Sequence, residues 1–114
     1  MRIIIDRDAV CAADDMSHHR EEFTVPDGIT IASLFEFLEF KYTPVIAGNN
    51  VVWALHHQDV EVGAYFTQNR SFINGSIPLS SIINNSETDT EFYLRYYSSP
   101  DRYRKHFINI AKLD

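Results

Sequence analysis

Between Arg20 and Tyr42 the alternation of polar and apolar residues changes period. Arg20-Glu-Glu-Phe-Thr-Val25 reads as a strand, with Phe23 and Val25 apolar and Thr24 polar between them. Pro26-Asp-Gly28 is a turn, because proline presets φ and glycine accepts a positive φ. Thr30 is a good N-cap for the helix that follows. Ile31, Leu34, Phe35 and Leu38 then fall at i, i+3, i+4 and i+7, one apolar stripe of an α-helix, and Tyr42 extends it. Phe37 sits on the flank, Phe40 points nearly opposite Ile31, and Glu36 and Glu39 occupy the remaining face. That helix carries more aromatic surface than one core contact needs. Thr43-Pro44 ends it, since the residue before proline avoids the helical region.

The same reading places further strands around this unit. Ile3-Ile-Ile5 opens a first strand, continued by the small apolar run Ala9–Ala13 and hairpin-paired to the strand at 20–25. Val45-Ile-Ala47 and Val51–Leu55 flank Gly48-Asn-Asn50 as a hairpin, and His56–Asp59 reads as a second turn. Val60–Phe66 is a strand. Residues 67–90 are rich in Asn and Ser, with a helical turn at Pro78–Ile83 and a surface loop at Asn84–Asp89. Glu91–Tyr97 is a strong aromatic strand. Ser99 and Pro100 start a C-terminal helix as N-cap and first helical residue. Tyr103, Phe107, Ile110 and Ala111 give that helix an apolar face, and Arg102, Arg104 and Lys105 a basic one. The fold class is α+β: a single mixed or mostly antiparallel sheet with one packed helix, and a C-terminal helix that docks on the same core or covers a sheet edge.

Composition sets the outer bounds. The 114 residues suit a single globular domain, 1–114. An aromatic content of 13% argues against disorder. Cys11 is the only cysteine, so no internal disulfide can form, which favours a reducing compartment. It sits among Ala and Val and reads as a buried small hydrophobe. No apolar run approaches the roughly 18 residues of a membrane span, and the N-terminus reaches a charge too soon for a signal peptide. The expectation is a cytoplasmic protein that does not engage a membrane.

Charge changes the picture more. The formal net charge is −6. Residues 1–40 already hold all of it: acids Asp6, Asp8, Asp14, Asp15, Glu21, Glu22, Asp27, Glu36 and Glu39 against Arg2, Arg7 and Arg20. Such an asymmetry speaks to partners and association rates, not to fold. An acidic face attracts basic proteins and repels nucleic acid, although a solvated acidic surface can also serve solubility alone.

Phe23-Thr-Val-Pro-Asp-Gly-Ile-Thr-Ile-Ala-Ser-Leu34 resembles the second strand and helix start of ubiquitin-like, β-grasp folds, and the order strand, strand, helix is similar to their opening. The resemblance covers about the first 42 residues. The chain departs from the sulfur-carrier and modifier members, which end in Gly-Gly where this one reads Ala111-Lys-Leu-Asp114, so their conjugation chemistry is not implied. In type, a small acidic α+β chain without a catalytic set is similar to bacterial immunity proteins, including those of contact-dependent growth inhibition systems. That resemblance implies a basic protein partner, a toxin or nuclease domain whose active site is covered. The residues it assigns to partner binding are Asp14, Asp15, Glu21, Glu22, Glu36, Glu39 and Phe40.

Two other readings compete. Asp14–Glu22 contains His18 and His19 among carboxylates, the donor types of a transition-metal site. Adjacent histidines on an extended segment diverge, however, and no His-x-His or His-x-x-x-His spacing occurs. His56 and His57 diverge for the same reason. Asp59 could orient a histidine as general base, but no nucleophile is marked to complete a triad. The expectation is no enzyme, no metal and no cofactor. A small enzyme or metal protein on His18/His19 or His56/His57, and a β-grasp ligand-binding module, are the alternatives. Arg102, Arg104, Lys105 and Lys112 with Tyr103 and Phe107 form the basic-aromatic cluster that could touch phosphate. The net charge argues against nucleic acid, and favours pairing of this helix face with acidic loops of the same domain.

Overall fold

The computed structural model describes residues 1–11, 18–44, 50–83 and 90–113, the stretch 107–113 through its backbone. Strands β1 (Arg2–Arg7), β2 (Glu21–Thr24), β3 (Val52–His57), β4 (Val60–Phe66), β5 (Ser71–Ile73) and β6 (Glu91–Tyr97) form one mixed sheet in the order β2-β1-β6-β3-β4-β5. All neighbours pair antiparallel except β1 and β6, which are parallel. Helices α1 (Ile31–Lys41) and α2 (Pro100–Leu113) complete the α+β fold. Among the described residues no helix is long and apolar enough to cross a membrane.

α1 forms where its pattern predicts. The Thr30 hydroxyl accepts from the Ser33 backbone N–H at 3.2 Å, which caps the first turn. Ile31, Leu34, Phe35 and Leu38 are all buried. They pack on Ile3, Ile5, Trp53, Leu55, Tyr65, Phe92 and Leu94, which the pleat turns to one face of the sheet. The helix lies close to β4 at Gly63: a Cβ there would meet Ile31 Cγ2 and the Ile73 carbonyl, each at 2.9 Å. Only the missing side chain permits that approach.

The second helix departs from expectation. It neither joins this core nor covers an edge. Tyr103 is buried against Val52, Ala54 and Ala64, which alternate with Trp53, Leu55 and Tyr65 and so line the opposite face of the sheet. Small side chains at 54 and 64 leave room for its ring, and Phe66 and Tyr97 meet it edge-on. Ser99 does start the helix, its hydroxyl accepting from the Arg102 N–H at 3.2 Å.

Other boundaries also moved. β1 stops at Arg7 and does not continue through Ala9. Asp8 ends it: its N–H donates to the Leu94 carbonyl, and its carboxylate accepts from the Tyr93 hydroxyl and the Tyr96 N–H. Cys11, expected in the core, is therefore exposed. The hairpin arm at 45–47 and the loop at 84–89 lie outside the described residues. β3 pairs instead with β4 through a two-residue turn at Gln58 and Asp59, both at positive φ (52° and 64°), the conformation that suits the twist of a hairpin. The Asn- and Ser-rich segment holds β5, which its composition concealed, and a short 3₁₀ turn at Leu79–Ser81.

Candidate functional site

Two regions concentrate exposed or poorly satisfied chemistry: the outer side of α1, and a polar cleft on the face that α2 only partly covers.

On the α1 side the structure divides the acidic residues. Asp14 and Asp15 lie outside the described residues. Glu21 and Glu22 are adjacent on β2, so the pleat sends them to opposite faces. Glu22 stands opposite Ile4 and pairs with the Arg2 guanidinium. Glu21 stands opposite Ile5, on the side of α1, and is exposed. Glu39 is half-buried: one carboxylate oxygen accepts from the Tyr65 hydroxyl at 2.6 Å and the other from Arg70 at 2.9 Å. Burial, and then this bond, push the Tyr65 phenol up to about 12. Glu36 is exposed, one turn before Phe40, so carboxylate and ring share the outer face. Phe40 is 85% exposed, and the Lys41 ammonium lies 5.5 Å from its ring centre.

The cleft is built from strand register. Asp6 on β1 stands opposite Tyr93 on β6, Tyr93 opposite His56 on β3, and His56 opposite Glu61 on β4. These four side chains cross the sheet as one row, with neighbours about 5 Å apart in strand spacing. A register shift between Leu55 and His56 sets the last pairing. Without it, the pairing of Leu55 with Gly63 would continue to Val62, and His56 would face an apolar chain. A bulge re-aims the carboxylate. Asp6, Arg20, His56, Asp59, Tyr93 and Arg95 contribute to the lining of a cleft of about 390 Å³ over this row.

Its electrostatics are unusual for a surface. The His56 side chain is only 14% exposed, and its Nε2 atom is buried with no hydrogen-bond partner among the described residues. The nearest carboxylate oxygen, Glu61 Oε1, is 3.9 Å away. Burial, and then the Arg95 and His106 charges, hold the imidazole below its ordinary range. Burial raises the Glu61 carboxyl, opposed by the hydrogen bond its Oε2 accepts from the Tyr103 hydroxyl at 2.7 Å. Tyr93 donates to Asp8 Oδ1 at 2.6 Å, and burial together with that bond pushes its phenol up to about 12. The row can accept or pass a proton at His56. Among the described residues that line it there is no serine, threonine, cysteine or lysine to act as nucleophile.

His57, by contrast, turns into the core, its ring 5.1 Å from Phe92. His18 is exposed, and His19 engages the Tyr42 hydroxyl through its backbone carbonyl. Among the described residues no three His, Cys, Asp or Glu side chains converge as metal ligands would.

No family model, curated protein or solved structure matches the chain. The residues that sequence reasoning missed are Glu61, Tyr93 and Arg95, and it did not join Tyr103 to them. Nothing in their spacing joins them, because their convergence depends on strand order and on one bulge.

Proposed function

We propose that this chain is an inhibitor-type interaction protein that presents the outer face of α1 to a basic protein, a toxin domain of nuclease type. The observation that supports the reading is Phe40. A helix that buries Ile31, Leu34, Phe35 and Leu38 leaves one large aromatic ring 85% exposed, with the Glu36 carboxylate a turn before it. Exposed aromatic rings at the centre of a contact supply most of its binding energy, and carboxylates around them set association rate and choice of partner. Nuclease active sites are cationic because their substrate is anionic, so an acidic surface is complementary to them. Glu21 and Glu36 have no ion pair among the described residues and remain available. Glu22 and Glu39 are engaged by Arg2 and Arg70 and contribute less.

The test is co-expression with a basic nuclease toxin domain in cells that otherwise die, followed by binding kinetics. Phe40→Ala should speed dissociation at least tenfold, and Glu21→Gln with Glu36→Gln should slow association and reduce its salt dependence. Protection that survives all three substitutions with unchanged affinity would remove α1 from the interface.

A second reading rests on the orphaned Nε2 of His56 in its cleft: a site where a small polar ligand supplies the missing hydrogen bond. Under it, a ligand screen should shift the His56 ring resonances, and His56→Ala should abolish the response.

A further inference from the structure

A second cleft, of about 470 Å³, lies where β6 ends and α2 begins. Its lining is Tyr96, Tyr97, Ser98, Arg102, Lys105 and His106, with no acidic side chain among the described residues. Helical spacing explains one wall. Arg102, Lys105 and His106 fall at i, i+3 and i+4 and share one side of α2. Tyr103 faces the sheet and holds that side in place. The other wall is the end of β6, where the Tyr97 ring centre lies 5.8 Å from that of His106.

The cations here are placed differently from four of the arginines elsewhere in the chain. Arg2, Arg20, Arg70 and Arg104 each meet a carboxylate. Arg102 and Lys105 meet none among the described residues. The ring on this side of the sheet is Tyr97, which stands opposite Val52, whereas Tyr96 stands opposite Trp53 and turns to the other face, and Tyr103, the ring adjacent in sequence, is buried away from the cleft.

A planar guanidinium and an ammonium three residues apart on a helix suit the oxygens of a phosphate group, the first by forked hydrogen bonds and the second as a point charge. The Tyr97 ring at the other wall offers a face for a flat heterocycle. We propose that this cleft binds a nucleoside phosphate, with its phosphates between Arg102 and Lys105 and its base against Tyr97. The net charge of −6 does not oppose this, because charges beyond roughly 10 Å are screened at ordinary salt. It does oppose a long polyanion, which would run past the acidic surfaces outside the cleft.

The experiment is calorimetric titration of the intact protein, at low ionic strength, with four probes: adenosine diphosphate, inorganic pyrophosphate, adenosine and a single-stranded RNA oligomer. The proposal expects adenosine diphosphate to bind with submillimolar affinity, pyrophosphate to bind at least about fivefold more weakly, and adenosine to give no measurable heat. The double variant Arg102→Gln, Lys105→Gln should lose affinity about tenfold or more, roughly 1.4 kcal/mol, with an unchanged thermal midpoint. Both side chains are exposed, so this variant folds. Absence of binding to adenosine diphosphate at about 5 mM, about 3 kcal/mol in affinity terms, overturns the site. So does a double variant that binds as the parent does. Equal affinity for pyrophosphate overturns the role of the Tyr97 ring, and tighter binding of the RNA overturns the small-ligand assignment.

Discussion

The Tyr103 hydroxyl donates to Glu61 Oε2 at 2.7 Å, and through that bond the C-terminal helix is fastened to the polar row of the sheet. The phenol is largely buried, and burial together with Glu61 raises its pKa. Tyr103→Phe keeps the ring and removes the donor. It should cost about 1–3 kcal/mol in urea unfolding at neutral pH, the usual penalty for leaving a buried acceptor without its partner. A change below about 0.5 kcal/mol would mean that water replaces the hydroxyl freely.

The helix phase of α1 predicts a contrast. Leu34→Ala and Leu38→Ala remove fully buried side chains and should each cost about 2–5 kcal/mol. Phe40→Ala removes a larger ring that is mostly in water and should cost less than about 0.5 kcal/mol. Chemical denaturation of the three variants checks this, and equal losses would overturn the phase.

Gly63 predicts a steric limit. Gly63→Ala places a methyl group 2.9 Å from both Ile31 Cγ2 and the Ile73 carbonyl, and the carbonyl belongs to the backbone of β5. The substitution should cost about 1–3 kcal/mol, typical of overpacking. Gly28→Ala, with nothing within 4 Å of its Cβ, is the control and should change stability little.

His56 predicts a pH dependence. Its folded pKa is below the ordinary 6.5, so between those values the unfolded chain binds the proton first. The stabilisation from keeping it neutral is complete above pH 6.5 and is lost as pH falls through the folded value. Glu61 runs the other way: its raised pKa favours folding at low pH and loses that contribution as pH rises through the folded value. His56→Gln should flatten the decline in thermal midpoint below pH 6.5. An unchanged profile would show that the imidazole is solvated.

How much of this was legible in the chain depended on range. Thr30, the Ile31–Leu38 stripe and Ser99-Pro100 are local signals, and each marks the element it names. The end of β1 was hidden because Asp8 bonds residues more than eighty positions away. β5 was hidden because an edge strand of three residues needs no run of β-branched side chains. The docking face of α2 was hidden because Ala54 and Ala64, which admit Tyr103, look like weak strand formers until the sheet is assembled. In the candidate surfaces, Phe40 could be read from helical period alone. The opposition of His56 and Glu61 could not, since one bulged residue decides it.

The sheet order has a consequence for biosynthesis. Among the described strands β6 comes last along the chain, yet it lies between β1 and β3, which do not pair with one another. A nascent chain that has emerged only through residue 83 therefore holds two separate units, the hairpin β1–β2 and the three-stranded meander β3–β4–β5, each with an open inner edge. Such edges pair readily with foreign strands. Closure waits until Glu91–Tyr97 leaves the ribosome, so a pause in synthesis just upstream of that strand exposes the molecule to aggregation more than a pause anywhere later.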